Sequence, residues 1–309
     1  MKKYDLAIIG AGPAGMSAAL NAKNDNLKFI LYEAKEAGWF PRVSVDSHYT
    51  VDNYLGFSAI SGSELIKKFR KHLTRNKIFV DNNCVHNARL EKNKFIMTLT
   101  DKEIIADLVI LCTGTYQKKL GVSEIDKFLG KSVFYYCVPD GNQFINKKVF
   151  VVGGRNTGAV TAIYLKNIGC DVEIIEKDPQ LNCKDKYGEK ITDLSIPVRT
   201  SSQIISLNGD EILEGINVKG PEGLETLVTD GIFVCIGLNP NNDLAKKLNV
   251  ELDKWGYVKV DNNMATNVAG VYAAGDITGN LKQISVAVGQ GSIAEYNINK
   301  FLREKWKKE

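Results

Sequence analysis

The sequence predicts an α/β fold built on two parallel sheets, and three observations predict it. The apolar run Leu6-Ala7-Ile8-Ile9 breaks into Gly10-Ala11-Gly12-Pro13-Ala14-Gly15, and a helix-like segment from Met16 to Lys23 follows. The design then returns: Gly10, Gly12, Gly15 and Glu33 fall on Gly153, Arg155, Gly158 and Glu176 at one constant offset along the chain. The third observation is a pair of similar apolar runs, Leu108 to Cys112 and Ile232 to Ile236, each ending in small residues. Strand patterns alternating with helical ones mean parallel sheets with crossover helices. The expected architecture is therefore two Rossmann-like dinucleotide-binding domains, each a parallel sheet with helices plus a small antiparallel sheet.

Each element has a local reason. Gly10 allows the tight turn out of the first strand, Gly12 lets backbone approach a pyrophosphate, and Gly15 lets the helix pack on the strand. The helix N-terminus offers free N–H groups and a positive dipole to phosphates. A second strand, Lys28 to Tyr32, ends in Glu33, near the ~20-residue spacing at which an acid meets ribose hydroxyls. Ala34 to Thr50 has no clear period; its Trp39, Phe40 and Pro41 either shield a ring system or pack a loop. Ser61 or Ser63 N-caps an amphipathic helix from about Glu64 to Arg75. Lys77 to Thr100 reads as a small antiparallel sheet, and Ala106 to Cys112 as a buried strand.

The second unit opens on the strand Lys148 to Val152, turns at Gly153-Gly154-Arg155-Asn156-Thr157-Gly158, and continues as a helix from Ala159 to Ile168. The next strand, Val172 to Ile175, ends in Glu176. Strands follow in Ile196–Leu207, Ile216–Lys219 and Leu227–Gly237, then a short helix from Asp243 to Leu248. Val268 to Asp276 is a strand ending in Gly275-Asp276, where glycine admits close approach and the carboxylate accepts hydrogen bonds from hydroxyls or water. A long helix starts near Ser285, with Lys282-Gln283-Ile284 at its positive end.

Composition narrows the class. At 309 residues, with 44% apolar and 25% charged residues, the chain is an ordinary globular protein of roughly two domains. A net charge of +4, spread along the chain, gives no argument for nucleic acid. No apolar run approaches the ~20 residues of a membrane span and no leader pattern precedes the first strand, so a cytoplasmic protein is expected. Six cysteines form no C-x-x-C and no metal-ligand spacing, so no metal is expected.

Together these stretches resemble the low-molecular-weight thioredoxin reductase family over nearly the full length. The carrying residues are Gly10 to Gly15, Val51-Asp52-Asn53-Tyr54-Leu55-Gly56-Phe57, Thr113-Gly114, Ala273-Ala274-Gly275-Asp276 and Lys282-Gln283-Ile284. The resemblance implies a discontinuous FAD-binding domain, 1–115 and 237–309, around an NAD(P)-binding-like domain, 116–236, in a homodimer. It implies FAD contacts at Gly10, Gly12, Pro13, Ala14, Gly15, Glu33, Ala34, Asn53, Thr113, Gly114, Gly275, Asp276, Gln283 and Ile284. It also puts Val85 near the adenine. Gly153, Arg155, Gly158 and Glu176 would serve a nicotinamide nucleotide.

Two departures shape the functional expectation. The family carries C-x-x-C-D-G before the second nucleotide strand; here the stretch reads Tyr136-Cys137-Val138-Pro139-Asp140-Gly141. A dithiol relay needs an attacking and a resolving thiol. Tyr136 and Pro139 hold those positions, and Cys137 stands alone. Arg155 replaces the glycine that meets pyrophosphate; its side chain either obstructs the nucleotide or grips a phosphate. Glu176-Lys177-Asp178 lacks the family's basic cluster for a 2′-phosphate. Glu176 would repel that group and suits the ribose of NADH. The expectation is an FAD-dependent oxidoreductase that passes electrons directly between flavin and an external small redox protein or small molecule. NADH is admitted and NADPH disfavoured, with ferredoxin or reduced flavin as alternative donors. Asp140 is the candidate proton donor, Tyr136 a cover for the flavin, and Cys137 a candidate monothiol. A flavin-binding redox sensor without turnover is the alternative from another class.

Overall fold

The structure is a computed structural model that describes residues 1–34, 50–135 and 141–306. The chain divides into two compact units, one of residues 1–116 with 239–309, the other of residues 117–238.

The first unit begins with strand β1, Lys2–Ile9, then helix α1, Pro13–Asn24, and strand β2, Phe29–Tyr32. Helix α2 spans Gly62–Arg75, and Ser61 is its cap, its hydroxyl accepting the Glu64 N–H at 3.2 Å. Strands β3 (Val80–Asp81), β4 (Asn87–Glu91), β5 (Lys94–Thr98) and β6 (Glu103–Leu111) follow. They form one sheet with β1 and β2 in the order β3-β2-β1-β6-β5-β4. β1 pairs in parallel with β2 and β6, in register Ile8 to Leu31 and Ile8 to Ile110.

Here the stretch from Lys77 to Thr100 departs from expectation. β3 pairs in parallel with β2, and the antiparallel pair β4–β5 extends the main sheet through β6 rather than forming a sheet of its own. The apolar alternation of these short strands fixes their inward faces but carries no sign of their pairing partner.

The second unit has a parallel sheet of β7 (Val133–Phe134), β8 (Lys148–Val152), β9 (Asp171–Ile175), β10 (Val198–Arg199) and β14 (Gly231–Val234). Its order is β7-β14-β8-β9-β10. Helix α3, Asn156–Asn167, is the crossover between β8 and β9. Strands β11 (Gln203–Asn208), β12 (Gly215–Gly220) and β13 (Gly223–Val228) make a separate antiparallel sheet.

Back in the first unit, β15 (Val271–Ala273) pairs in parallel with β6, and helix α4, Ile284–Trp306, closes the chain. The strand expected over 268–276 is shorter because Val271 N–H turns back to Val268 O and the chain bends at Gly275. α1 and α4 pack through Ala18, Ala22, Ala294 and Ile298, all fully buried. Small side chains let the two backbones approach closely: a Cβ on Gly291 would lie 2.1 Å from the carbonyl oxygen of Ala14. Among the described residues no helix is long and apolar enough to cross a membrane.

Candidate functional site: a cavity over the first fingerprint

The first unit holds a cavity of about 390 Å³ at the carboxyl ends of β1, β2 and β6. This is where open α/β sheets take ligands. Three chain segments far apart in sequence converge there: the β1–α1 turn, the end of β6, and the start of α4.

The fingerprint glycines divide by role. Gly10 has φ +108°, and a Cβ there would lie 2.2 Å from the Cys112 carbonyl oxygen; one on Gly15 would lie 1.8 Å from the Gly10 oxygen. Both are demanded by the fold. A Cβ on Gly12 would meet nothing within 4 Å. Gly12 faces the cavity and caps α1 without a side-chain partner for the helix N–H groups. That is a bare cradle with a positive helix end, and it fits a diphosphate. Gly15 does not line the cavity; it serves the packing beneath.

Every other expected contact of this unit lines the cavity: Gly10, Gly12, Pro13, Ala14, Glu33, Ala34, Asn53, Val85, Thr113, Gly114, Gly275, Asp276, Gln283 and Ile284. Glu33 Oε2 accepts the Ala11 N–H at 2.7 Å. Burial pushes the Glu33 carboxyl above its ordinary value, against the pull of that N–H and of the Arg70 charge. Asn53 Nδ2 donates to Gln283 Oε1, so two of the expected contacts hold each other. The Thr113 hydroxyl donates to Asn241 O at 2.7 Å. Gly275, at φ +83°, donates its N–H to the buried Gln290 Oε1 at 2.8 Å, which fixes the turn that presents Asp276. Burial raises the Asp276 carboxyl, and Lys282 opposes the shift.

The cavity also has lining that the sequence did not disclose: Asn83, Cys84 and His86 from the loop before β4, and Asp243, Leu244 and Lys247 from a short helix. Lys247 Nζ donates to His86 O and ties these two segments together. Their sequence signal is weak, because short strands and one-turn helices carry too few periods to place them.

The second fingerprint repeats the geometry of the first. A Cβ on Gly153, at φ +111°, would lie 2.5 Å from the Cys235 oxygen, and one on Gly158 would lie 1.7 Å from the Gly153 oxygen. Arg155 takes the open position. Its backbone, φ −88° and ψ −178°, matches that of Gly12, φ −71° and ψ −176°. The fold therefore accepts a side chain there without strain, and the Arg155 side chain is exposed. Glu176 is 5% exposed. Its carboxylate accepts the N–H of Gly154, the counterpart of Ala11, and that of Asp178 at 2.9 Å. Gly154 O accepts the Asn182 N–H at 3.1 Å, so the loop after β9 lies along this turn. Tyr136, Cys137 and Asp140 lie outside the described residues, as do Trp39, Phe40 and Pro41.

Comparison with known proteins bears on the whole chain. The family model of pyridine nucleotide-disulphide oxidoreductases matches residues 4–291. The chain is 32% identical to the 34.2 kDa protein in the rubredoxin operon of Clostridium pasteurianum, covering 97% of this chain and 98% of that one. Thioredoxin reductase of T. acidophilum superposes with a TM-score of 0.81 at 34% identity, over 97% of this chain and 99% of that one. A ferredoxin-flavin thioredoxin reductase from Clostridium acetobutylicum gives 0.55 at 29% identity, over 98% and 99%. With its two parallel sheets and its glycine-cradled cavity, the chain belongs to the pyridine nucleotide-disulphide oxidoreductase family, as an FAD-dependent oxidoreductase of thioredoxin-reductase-like build.

Proposed function

We propose that this oxidoreductase exchanges electrons directly between its flavin and external partners, without an internal dithiol relay. The observation that carries the proposal is the stretch Tyr136 to Gly141, which holds one cysteine where a relay needs two. No two cysteines of the sequence are spaced as C-x-x-C. Cys112, Cys170 and Cys235 are buried, and burial raises the Cys112 and Cys170 thiols, which suppresses thiolate, while Cys84 and Cys183 are half-buried and far apart in the chain.

FAD supplies two-electron redox chemistry at its ring when bound. The chain's part is to hold it and to manage charge around it. In this reading Gly12 and the first N–H groups of α1 receive the diphosphate, and Glu33 accepts ribose hydroxyls. Gly275 and Asp276 meet the flavin end, with Lys282 beside the Asp276 carboxyl. Asp140 is the proposed proton donor and Tyr136 the proposed cover of the ring.

Within nicotinamide chemistry the reading favours NADH over NADPH. Glu176 keeps a buried carboxylate at the end of β9, and an acid there pairs with ribose hydroxyls and repels a 2′-phosphate. Arg155 supports a second reading, in which the donor is a protein. The open position of the second fingerprint, bare at Gly12, carries a guanidinium here.

Anaerobic mixing with NADH, NADPH and reduced ferredoxin in turn, followed by flavin bleaching, tests both. Bleaching by NADH alone supports the first reading, and bleaching by ferredoxin alone the second. A Cys137→Ser variant that loses all turnover would overturn direct exchange, because it would make the single thiol obligatory.

A further inference from the structure

Helix α2 is the most one-sidedly charged element of the first unit. Its sequence GSELIKKFRKHLTR carries Lys67, Lys68, Arg70, Lys71 and Arg75 against the single acid Glu64, and Lys77 follows two residues beyond. Leu65, Ile66 and Leu73 are buried, while all six cations are exposed. Lys67, Lys71 and Arg75 recur at every fourth position and so form one stripe, with Arg70 on one flank and Lys68 on the other. Glu64 pairs with Lys68 at 3.6 Å; among the described residues Lys67, Arg70, Lys71 and Arg75 make no ion pair. Like charges four apart destabilise a helix, and nothing in the fold requires them. A chain that keeps such a stripe pays for it unless something acidic covers it.

The helix lies beside the cavity. Leu65 packs in one cluster with Val51 and Ile284, both of which line the cavity. Arg70 is near enough to Glu33, another lining residue, to draw its carboxyl downward. Two large apolar side chains of the segments before and after the helix are exposed. Leu55 is 99% exposed and follows Tyr54, whose ring meets Phe69 of the helix edge to face at 5.7 Å. Phe79 is 84% exposed, four residues past the helix. An exposed cationic face steers a protein partner, and exposed apolar side chains on adjoining segments help to seat it.

We propose that the exposed face of α2 is the docking surface for a small acidic one-electron carrier protein, which passes electrons to the flavin cavity beside it. This rests on the reading of direct exchange above in which the donor is a protein. Each encounter oxidises one reduced carrier by one electron, so two carriers are consumed per two-electron reduction in the cavity, with protons drawn from solvent. A lipid surface is disfavoured because the apolar face of α2 is already buried in the protein. Nucleic acid is disfavoured because the stripe is confined to one helix and its C-terminal flank, and Phe69, the aromatic among its cations, is half-buried against Tyr54 rather than open for base stacking.

The test uses the FAD-loaded protein, a 2[4Fe–4S] ferredoxin as probe, and the triple variant Lys67→Gln, Lys71→Gln, Arg75→Gln. Arg70 is left intact because it acts on Glu33. A control removes the same charge from the second unit through Lys186→Gln, Lys190→Gln and Lys219→Gln. We expect ferredoxin binding at 50 mM salt to weaken at least tenfold in the triple variant, and likewise in the unaltered protein at 300 mM salt, in line with screening of exposed charge. The rate of flavin reduction at limiting ferredoxin should fall in parallel, while FAD content, bleaching by dithionite and the control variant stay unchanged. Equal ferredoxin reduction rates in the unaltered protein and the triple variant would overturn the docking surface and leave direct exchange standing. So would an equal loss in the control variant, or tighter binding to phosphatidylglycerol vesicles or a 20-base-pair duplex than to ferredoxin. Stripe-dependent ferredoxin binding without any flavin reduction would overturn the reading in which a protein is the donor and leave the surface as a binding site only.

Discussion

A carboxyl is set into the seam between α1 and α4, where Glu295 is 1% exposed and its Oε1 has no hydrogen-bond partner among the described residues. Burial and the Asp25 charge raise its pKa to about 7, against the pull of Arg303. The folded protein therefore binds a proton that the unfolded chain releases near the ordinary value of 4.5. Stability from this group is complete below about pH 4.5, falls as pH rises through about 7, and is flat beyond. Glu295→Gln should remove that slope and raise stability at pH 8 by about 1–3 kcal/mol, read from urea midpoints at pH 5 and pH 8. A variant as pH-sensitive as the parent would show that the carboxyl ionises freely. The glycines give a second contrast at this scale. Gly12→Val should leave folding intact and abolish FAD retention, because its Cβ enters only the cavity; Gly15→Val should cost several kcal/mol, because its Cβ strikes backbone. Thermal melting and bound-flavin absorbance separate the two. Gly12, Gly15 and Glu33 were legible in the sequence because their chemistry is local and their spacing fixed. Glu295 was not, because only the packing of two helices at opposite ends of the chain reveals that it is buried.

At the scale of elements, α4 does more than close the core. Its Gln290 accepts the Gly275 N–H, and through that bond it sets the turn that carries Asp276 into the cavity. Gln290→Leu leaves a buried N–H without an acceptor, which costs about 1–3 kcal/mol. If that cost falls on the turn, FAD affinity should drop about tenfold or more, with a shifted flavin potential. Gln290→Glu keeps an acceptor in place and should restore affinity. Titration of apoprotein with FAD and redox titration of the loaded protein check this, and unchanged affinity and potential in Gln290→Leu would remove Gln290 from the role. The long elements of the fold were readable in advance: α1, α2, α3 and α4 each carry enough turns for a periodic signal, and the capping choice at Ser61 was narrowed to two serines by spacing. The pairing and placement of the short ones were not. Val80–Asp81 holds two residues and joins the main sheet only because β2 offers it an edge. The one-turn helix Asp243–Lys247 was expected, but its place against the cavity was not, because that depends on Lys247 reaching across to His86.

The whole chain repeats one design, and the repeat is its sharpest internal control. Both fingerprints place a carboxylate under the N–H that follows the first glycine, Glu33 under Ala11 and Glu176 under Gly154. Both bury the first and third glycines against the next strand of the sheet, at Cys112 and Cys235. They differ at one open position, Gly12 against Arg155, whose backbones match within about 20°. Nothing in the fold has to change for Arg155 to become glycine, so the substitution isolates ligand chemistry from packing. If the guanidinium obstructs a nicotinamide nucleotide, Arg155→Gly should tighten NADH binding at least tenfold and speed flavin bleaching by NADH. Melting temperature and FAD content should not move. Weaker NADH binding in the same variant would mean that Arg155 grips the phosphates instead, as a charge-assisted donor. Adding Glu176→Gln to Arg155→Gly then separates the two cofactors: removing the acid should narrow the gap between NADH and NADPH, because the repulsion on a 2′-phosphate is gone while one partner of the NADH ribose is weakened. A gap that stays the same width would mean that Glu176, held by two backbone N–H groups, serves the loop after β9 and not a ribose.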